Sequence, residues 1–184
     1  MVEHGFKVNF EKLYSESKEE QYEAFQNIMN LITHKVDWAY EVWDELVENL
    51  THHNNHERSR AAQFLCGLAK SDPEKRILSD FEAIWNVTYD KKFVTARHTL
   101  QAIWQVGLAG EEQKEILLKH LVNRFKNCSD EKNFTLIRFD IIQGLRNLYD
   151  ERNEERMKEI ALGLIAEETD EKYQKKYAKV WKNI

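Results

Sequence analysis

The residues with the most chemical potential stand together in the stretch Thr51-His52-His53-Asn54-Asn55-His56-Glu57-Arg58. Imidazole nitrogens ligate metals and titrate near neutral pH. His52 and His56 lie four residues apart, a spacing that puts two ligands on one face of a helix. They straddle a polar turn, and no Cys or third acidic ligand sits beside them at helical spacing. The reading is a solvated turn, and no metal or other cofactor is expected. Cys66 and Cys128 are the two cysteines, and neither belongs to a CxxC pair. Both stand among apolar helical residues, where a free thiol acts as a small hydrophobe. A disulfide scaffold is not expected, and a reducing cytoplasm fits. No Gly-rich phosphate loop and no GxSxG elbow occur. Asp and Glu are plentiful, so a carboxylate pair assembled by folding would leave no local trace. No catalytic residue is assigned. Arginine offers a different chemistry: Arg58, Arg60, Arg97 and Arg138 carry forked donors that match carboxylates and phosphates two bonds at a time.

The elements that must position these side chains are helical. In 184 residues there are one Pro and six Gly, while Leu, Ala, Glu, Lys and Gln fill long stretches. With 42% hydrophobic and 32% charged residues the chain is globular with a heavily charged surface, and it is long enough for one continuous core. Tyr40, Trp43, Val47 and Leu50 recur every three or four residues, as do Phe134, Ile137, Ile141, Leu145 and Leu148. This periodicity predicts ten helices over 8–16, 18–34, 37–51, 56–70, 73–89, 91–108, 111–127, 131–149, 152–167 and 170–183. Asp72-Pro73 predicts a cap followed by a first helical residue. Gly110 predicts a left-handed helix end, and Ser129-Asp130 and Thr169-Asp170 predict capped helix starts.

The net charge is −5 with a pI near 5.8, which argues against a nucleic-acid-binding role. It is uneven: residues 1–50 sum to −7, and the last fourteen hold five Lys and one Glu. The opening residues lack the basic and then apolar run of a signal peptide, and no apolar run approaches the roughly 20 residues of a membrane span. The expectation is a cytoplasmic protein that does not engage membranes.

The helices pair with a period of about forty residues. Arg60, Arg97 and Arg138 fall near the start of the second helix of three successive pairs, 37 and 41 residues apart, and a polar turn precedes each. This resembles the HEAT repeat, whose pattern has an Asp in the turn within the pair and an Arg early in the second helix. Arg58-Ser59-Arg60-Ala61-Ala62-Gln63-Phe64-Leu65-Cys66-Gly67-Leu68 is the closest match. The resemblance covers the three central pairs. In the first pair Ala24 and Phe25 stand where an Arg would fall, and in the last Lys175 and Lys176 do, departures that suit capping units. It implies an all-α, right-handed curved α-solenoid of about five antiparallel helix pairs in a single domain over 1–184. It also implies that the arginine row pairs with turn acids, with Arg58 and Arg60 together exceeding that need. Two HEAT-like enzyme families invite comparison. Deoxyhypusine hydroxylase builds an iron site from several His-Glu pairs, and only His56-Glu57 is present here. The DNA alkylation-repair glycosylases use an Asp one turn after a Trp, whereas Tyr40 precedes Asp44 here.

The resulting expectation is a non-catalytic scaffold that holds a protein or peptide on a concave face made by the second helices. Arg58, Arg60, Phe64, Arg97, Gln101, Trp104, Arg138 and Ile142 would line that face, with Trp104 alternatively part of the packed interior. Two further functions stay open: a DNA-binding or DNA-repair-like protein, and a module for structural self-assembly through its oppositely charged ends.

Overall fold

Runs of strong helix formers separated by short polar turns fold as ten α-helices in the computed structural model, which describes residues 5–182. They are α1 (Gly5–Lys12), α2 (Lys18–Leu31), α3 (Ala39–Asn49), α4 (Asn55–Leu68), α5 (Arg76–Val87), α6 (Phe93–Ala102), α7 (Glu111–Asn127), α8 (Phe134–Arg152), α9 (Glu155–Glu167) and α10 (Glu171–Ala178). Short 3-10 segments continue α4, α6 and α10. Among the described residues there is no strand, and the fold is all-α. No helix among them is long and apolar enough to cross a membrane.

Side chains set several of the helix starts. Ser17, Asn54 and Asp170 each accept a hydrogen bond from a first-turn N–H group, and Asp170 caps α10 as its sequence position predicts. Other expectations are corrected. α5 begins at Arg76, not at Pro73. Asp72 still closes that helix, but at longer range: its carboxylate accepts the N–H groups of Arg76 and Ile77 at 2.9 and 2.8 Å, and the Tyr40 hydroxyl donates to it from α3. Gly110 precedes α7 in an extended conformation and does not end α6 in a left-handed one. α6 itself stops at Ala102, because a 3-10 turn takes over through Leu108. Ser129 and Asp130 cap nothing. The chain turns instead through Asn133, at φ 63°, before α8 starts at Phe134.

Consecutive helices pack against each other, α1 on α2, α3 on α4, and so on to α9 on α10. The first members of successive pairs also touch, α3 to α5 to α7 to α9. The second members do the same, α2 to α4 to α6 to α8 to α10. One core runs between these two rows, from Phe6, stacked on Trp38 at 4.4 Å, to Tyr177 and Trp181. Both cysteines are buried in it, and burial pushes each thiol above its ordinary titration range.

Gly67 marks the tightest approach. A Cβ there would sit 2.6 and 2.8 Å from Cδ1 and Cγ1 of Ile32, which is buried at the end of α2. Gly67→Ala therefore overpacks the α2–α4 contact by about 1–3 kcal/mol, against about 1 kcal/mol regained in helix propensity. The expected net loss is about 1 kcal/mol, measured by chemical denaturation. Stabilisation of the protein by this substitution would show that Ile32 can step aside.

Candidate functional site

The second-row helices α4, α6 and α8, with the 3-10 segment that follows α6, carry the residues that the sequence places on a binding face. Their environments divide them sharply. Phe64 and Ile142 are fully buried, so the expectation that they line a binding face is corrected. Phe64 lies with its ring centroid 5.7 Å from that of Phe10 and 5.6 Å from that of Phe25. Both residues are covered because the second row is packed on its flanks as well as on its inner side. Trp104 is partly buried and packed on the core.

The arginines do not form one equivalent row. Arg60 points back along the chain, donating to the Leu13 carbonyl at 3.1 Å and to Gln21 Oε1 at 3.3 Å, with Glu57 beside it. Arg97 points forward and grips Asp140 on α8 with two bonds of 2.7 and 2.8 Å. Asp140 is itself almost wholly buried, and Gln101 donates to it at 3.1 Å. The hydrogen bond to Asp140 raises the Arg97 pKa further.

The matching pair is instead Arg58 and Arg138, eighty residues apart. Arg58 binds the His52 carbonyl at 2.6 Å, in the turn between α3 and α4, and both oxygens of Asp90, in the turn between α5 and α6. Arg138 binds the Phe125 carbonyl at the end of α7 and Glu168, in the turn between α9 and α10. A third arginine, Arg124 on α7, fills the gap between them. It donates to the Thr88 carbonyl in the α5–α6 turn and to Glu131 in the α7–α8 turn. Each arginine thus ties one turn to the next along a single edge. Burial alone would raise the Asp90 pKa, but hydrogen bonds from Arg58 and the Lys92 N–H outweigh it and hold the carboxyl below its usual value. Arg58 and Arg138 are used up by these contacts and have little left for a partner.

An open cavity of about 290 Å³ lies on α2, α4 and α6, lined by Gln21, Tyr22, His56, Arg60, Gln63 and His98 among others. Tyr22 is 67% exposed, and Val94 on α6 is 63% exposed. Gln63 donates to Ser59, whose hydroxyl lies 3.4 Å from His98 Nδ1. That distance is long for a working Ser–His couple, and no carboxylate is recorded on the ring's other nitrogen among the described residues. The chemistry on offer is recognition through amides, imidazoles and one phenol, with the cations Lys18 and Arg60 at its side. Of the residues that the sequence places on a binding face only Arg60 lines this cavity, and His56 joins it from the histidine-rich turn. Ser59, Gln63 and His98 escaped notice because small polar residues at helical spacing look like any solvated stripe.

His52 and His53 lie with ring centroids 4.2 Å apart in the α3–α4 turn, and His52 Nδ1 accepts the Asn54 N–H. Among the described residues no group of three or more His, Cys, Asp or Glu side chains is arranged to hold a metal ion. Comparison of the chain with protein-family models finds no match, and comparison with curated proteins finds none either.

Proposed function

We propose that this chain is a HEAT-like α-solenoid of about five antiparallel helix pairs that serves as a non-catalytic scaffold, holding an extended segment of a protein partner across α2, α4 and α6. The observation that carries the reading is the α2–α4–α6 cavity, where exposed Tyr22, His56, His98 and the amide of Gln63 converge from three helices. The ordered contacts within each row of helices support the solenoid, because each pair hides its apolar stripe only against the next. Amide and imidazole heads pair with peptide N–H and C=O groups, and an exposed tyrosine supplies contact area at small entropic cost.

The test is site-specific photo-crosslinking from position 98, with position 115 on the exposed side of α7 as the control, followed by affinity measurement for the captured segment. The expected result is crosslinking to a protein partner from position 98 only. Tyr22→Ala should then weaken that partner's binding about tenfold with the unfolding midpoint unchanged. Equal labelling from both positions, or retention of the chain on DNA that weakens steeply with salt, would replace this reading with another.

A further inference from the structure

The second row of helices ends at α2 on one side and at α10 on the other, and each packs on a row neighbour on one side only. α2 meets α4 through Gln21, Phe25 and Ile32. At 3.6 residues per turn, Glu19 and Glu23 fall on the opposite side of α2, away from α4, with Glu20 flanking them. α10 meets α8 through Tyr177, which lies against Phe139 and donates to the Thr135 carbonyl. The same periodicity turns Lys172, Lys175 and Lys179 away from α8. All six of these charged residues are exposed.

The two outward stripes have opposite signs and are largely unspent. Glu19, Glu20 and Glu23 form no ion pair among the described residues, nor do Lys172 and Lys179, and Lys175 has only a long, exposed contact with Glu171 at 3.4 Å. Glu19 and Glu23 are four residues apart, as are Lys175 and Lys179, so two glutamates of one stripe can meet two lysines of the other at once. α1 and α9, which end the first row, carry no such stripe: α1 sets Glu11 beside Lys12, and α9 pairs Glu155 with Lys158, with Glu159 beside them. They add exposed apolar side chains instead, Val8 on α1 and Leu162 on α9. Asn27 and Asn30, four and seven residues beyond Glu23, carry the outward side of α2 into a cavity of about 870 Å³ that is also lined by Asn9, Leu31 and Trp38. That recess leaves room for an apolar side chain from outside.

We infer that copies of this chain join head to tail, with the glutamate stripe of α2 in one copy against the lysine stripe of α10 in the next. A second copy is the fitting occupant because one chain presents both complementary faces, at the same four-residue step. The joint is heterologous, so it leaves the same two faces free at the ends of the assembly, and copies add in series. Exposed ion pairs are individually weak and are screened by salt, so the association is modest and belongs to low ionic strength. The inference is independent of the peptide-binding reading, whose cavity uses Gln21, Tyr22 and Phe25 on another side of α2.

The experiment is sedimentation of the full chain over a range of protein concentrations, at about 20 mM and at about 500 mM salt. The expected result is a mean mass that rises with concentration at low salt and stays at the 22.0 kDa of one chain at high salt. Two charge-reversed variants decide which faces meet, Glu19→Lys/Glu23→Lys and Lys175→Glu/Lys179→Glu. Both alter only exposed positions, so each should keep the wild-type unfolding midpoint within a few degrees. Each alone should lose about tenfold or more in self-association at low salt, and an equimolar mixture of the two should regain it. Both variants stay net negative, so overall attraction between them cannot account for the rescue. A single-chain mass at every concentration in low salt, association indifferent to salt, undiminished association of either variant alone, or a mixture that fails to associate would each overturn the assignment.

Discussion

Phe64→Ala should destabilise the protein by about 3–5 kcal/mol, the cost of removing a fully buried aromatic side chain and leaving a cavity behind. The ring is held by Phe10 and Phe25, so it locks α1, α2 and α4 to one another. Urea denaturation read by tryptophan fluorescence measures the loss. Tyr22→Ala, one helix away but exposed, should stay within about 0.5 kcal/mol of wild type. The contrast separates a side chain that the sequence places on a binding face, and that the fold buries, from one that the fold exposes. A small effect at Phe64 would mean that the α2–α4 junction repacks freely.

The second large effect belongs to Arg58. Arg58→Ala removes the guanidinium from both oxygens of a nearly buried Asp90, leaving the Lys92 N–H on Oδ1, and from the His52 carbonyl. Breaking such a pair from one side costs about 3–5 kcal/mol, mostly through the carboxylate left without its counter-charge. Arg58→Lys should recover only part of this, since an ammonium cannot span both oxygens while also reaching the turn carbonyl. The pH dependence has a definite sign. The folded Asp90 pKa lies below its unfolded value, so the stabilisation is complete above the unfolded value near 3.9 and fades as the pH falls through the folded one. Below about pH 4 the gap between wild type and Arg58→Ala should therefore narrow. A gap that stays constant from neutral pH down to acid unfolding would show that the Asp90 carboxylate is not what Arg58 stabilises.

The helices were readable because their signals are local. Tyr40, Trp43, Val47 and Leu50 announce α3 from spacing alone, and Asp170 caps α10 from the residues beside it. The start of α5 was not readable, because Asp72 is held in place by a hydroxyl 32 residues away, which lets the helix open three residues after Pro73. The arginine register failed for a related reason. Spacings of 37 and 41 align residues by number, yet which acid an arginine reaches depends on where its helix begins and how it crosses the next. Arg124 carries no motif at all, and its burial follows from the α5–α6 turn lying over α7. Phe64 and Ile142 show the same limit: a periodic stripe says that a side chain needs cover, and only the second neighbour reveals how wide that cover is.

The line of arginines along the turn edge bears on how the molecule comes apart. Arg58, Arg124 and Arg138 each hold an oxygen from one turn and a carboxylate from the next, like successive stitches in a seam. When one hairpin detaches, its neighbour's guanidinium loses a carboxylate it was built to hold, so damage is shared between adjoining units. Amide hydrogen exchange should accordingly slow together across the middle of the chain, with α1 protected least, because the turn after it is held by the half-buried Arg60 and by no arginine that also grips a carboxylate of the next turn.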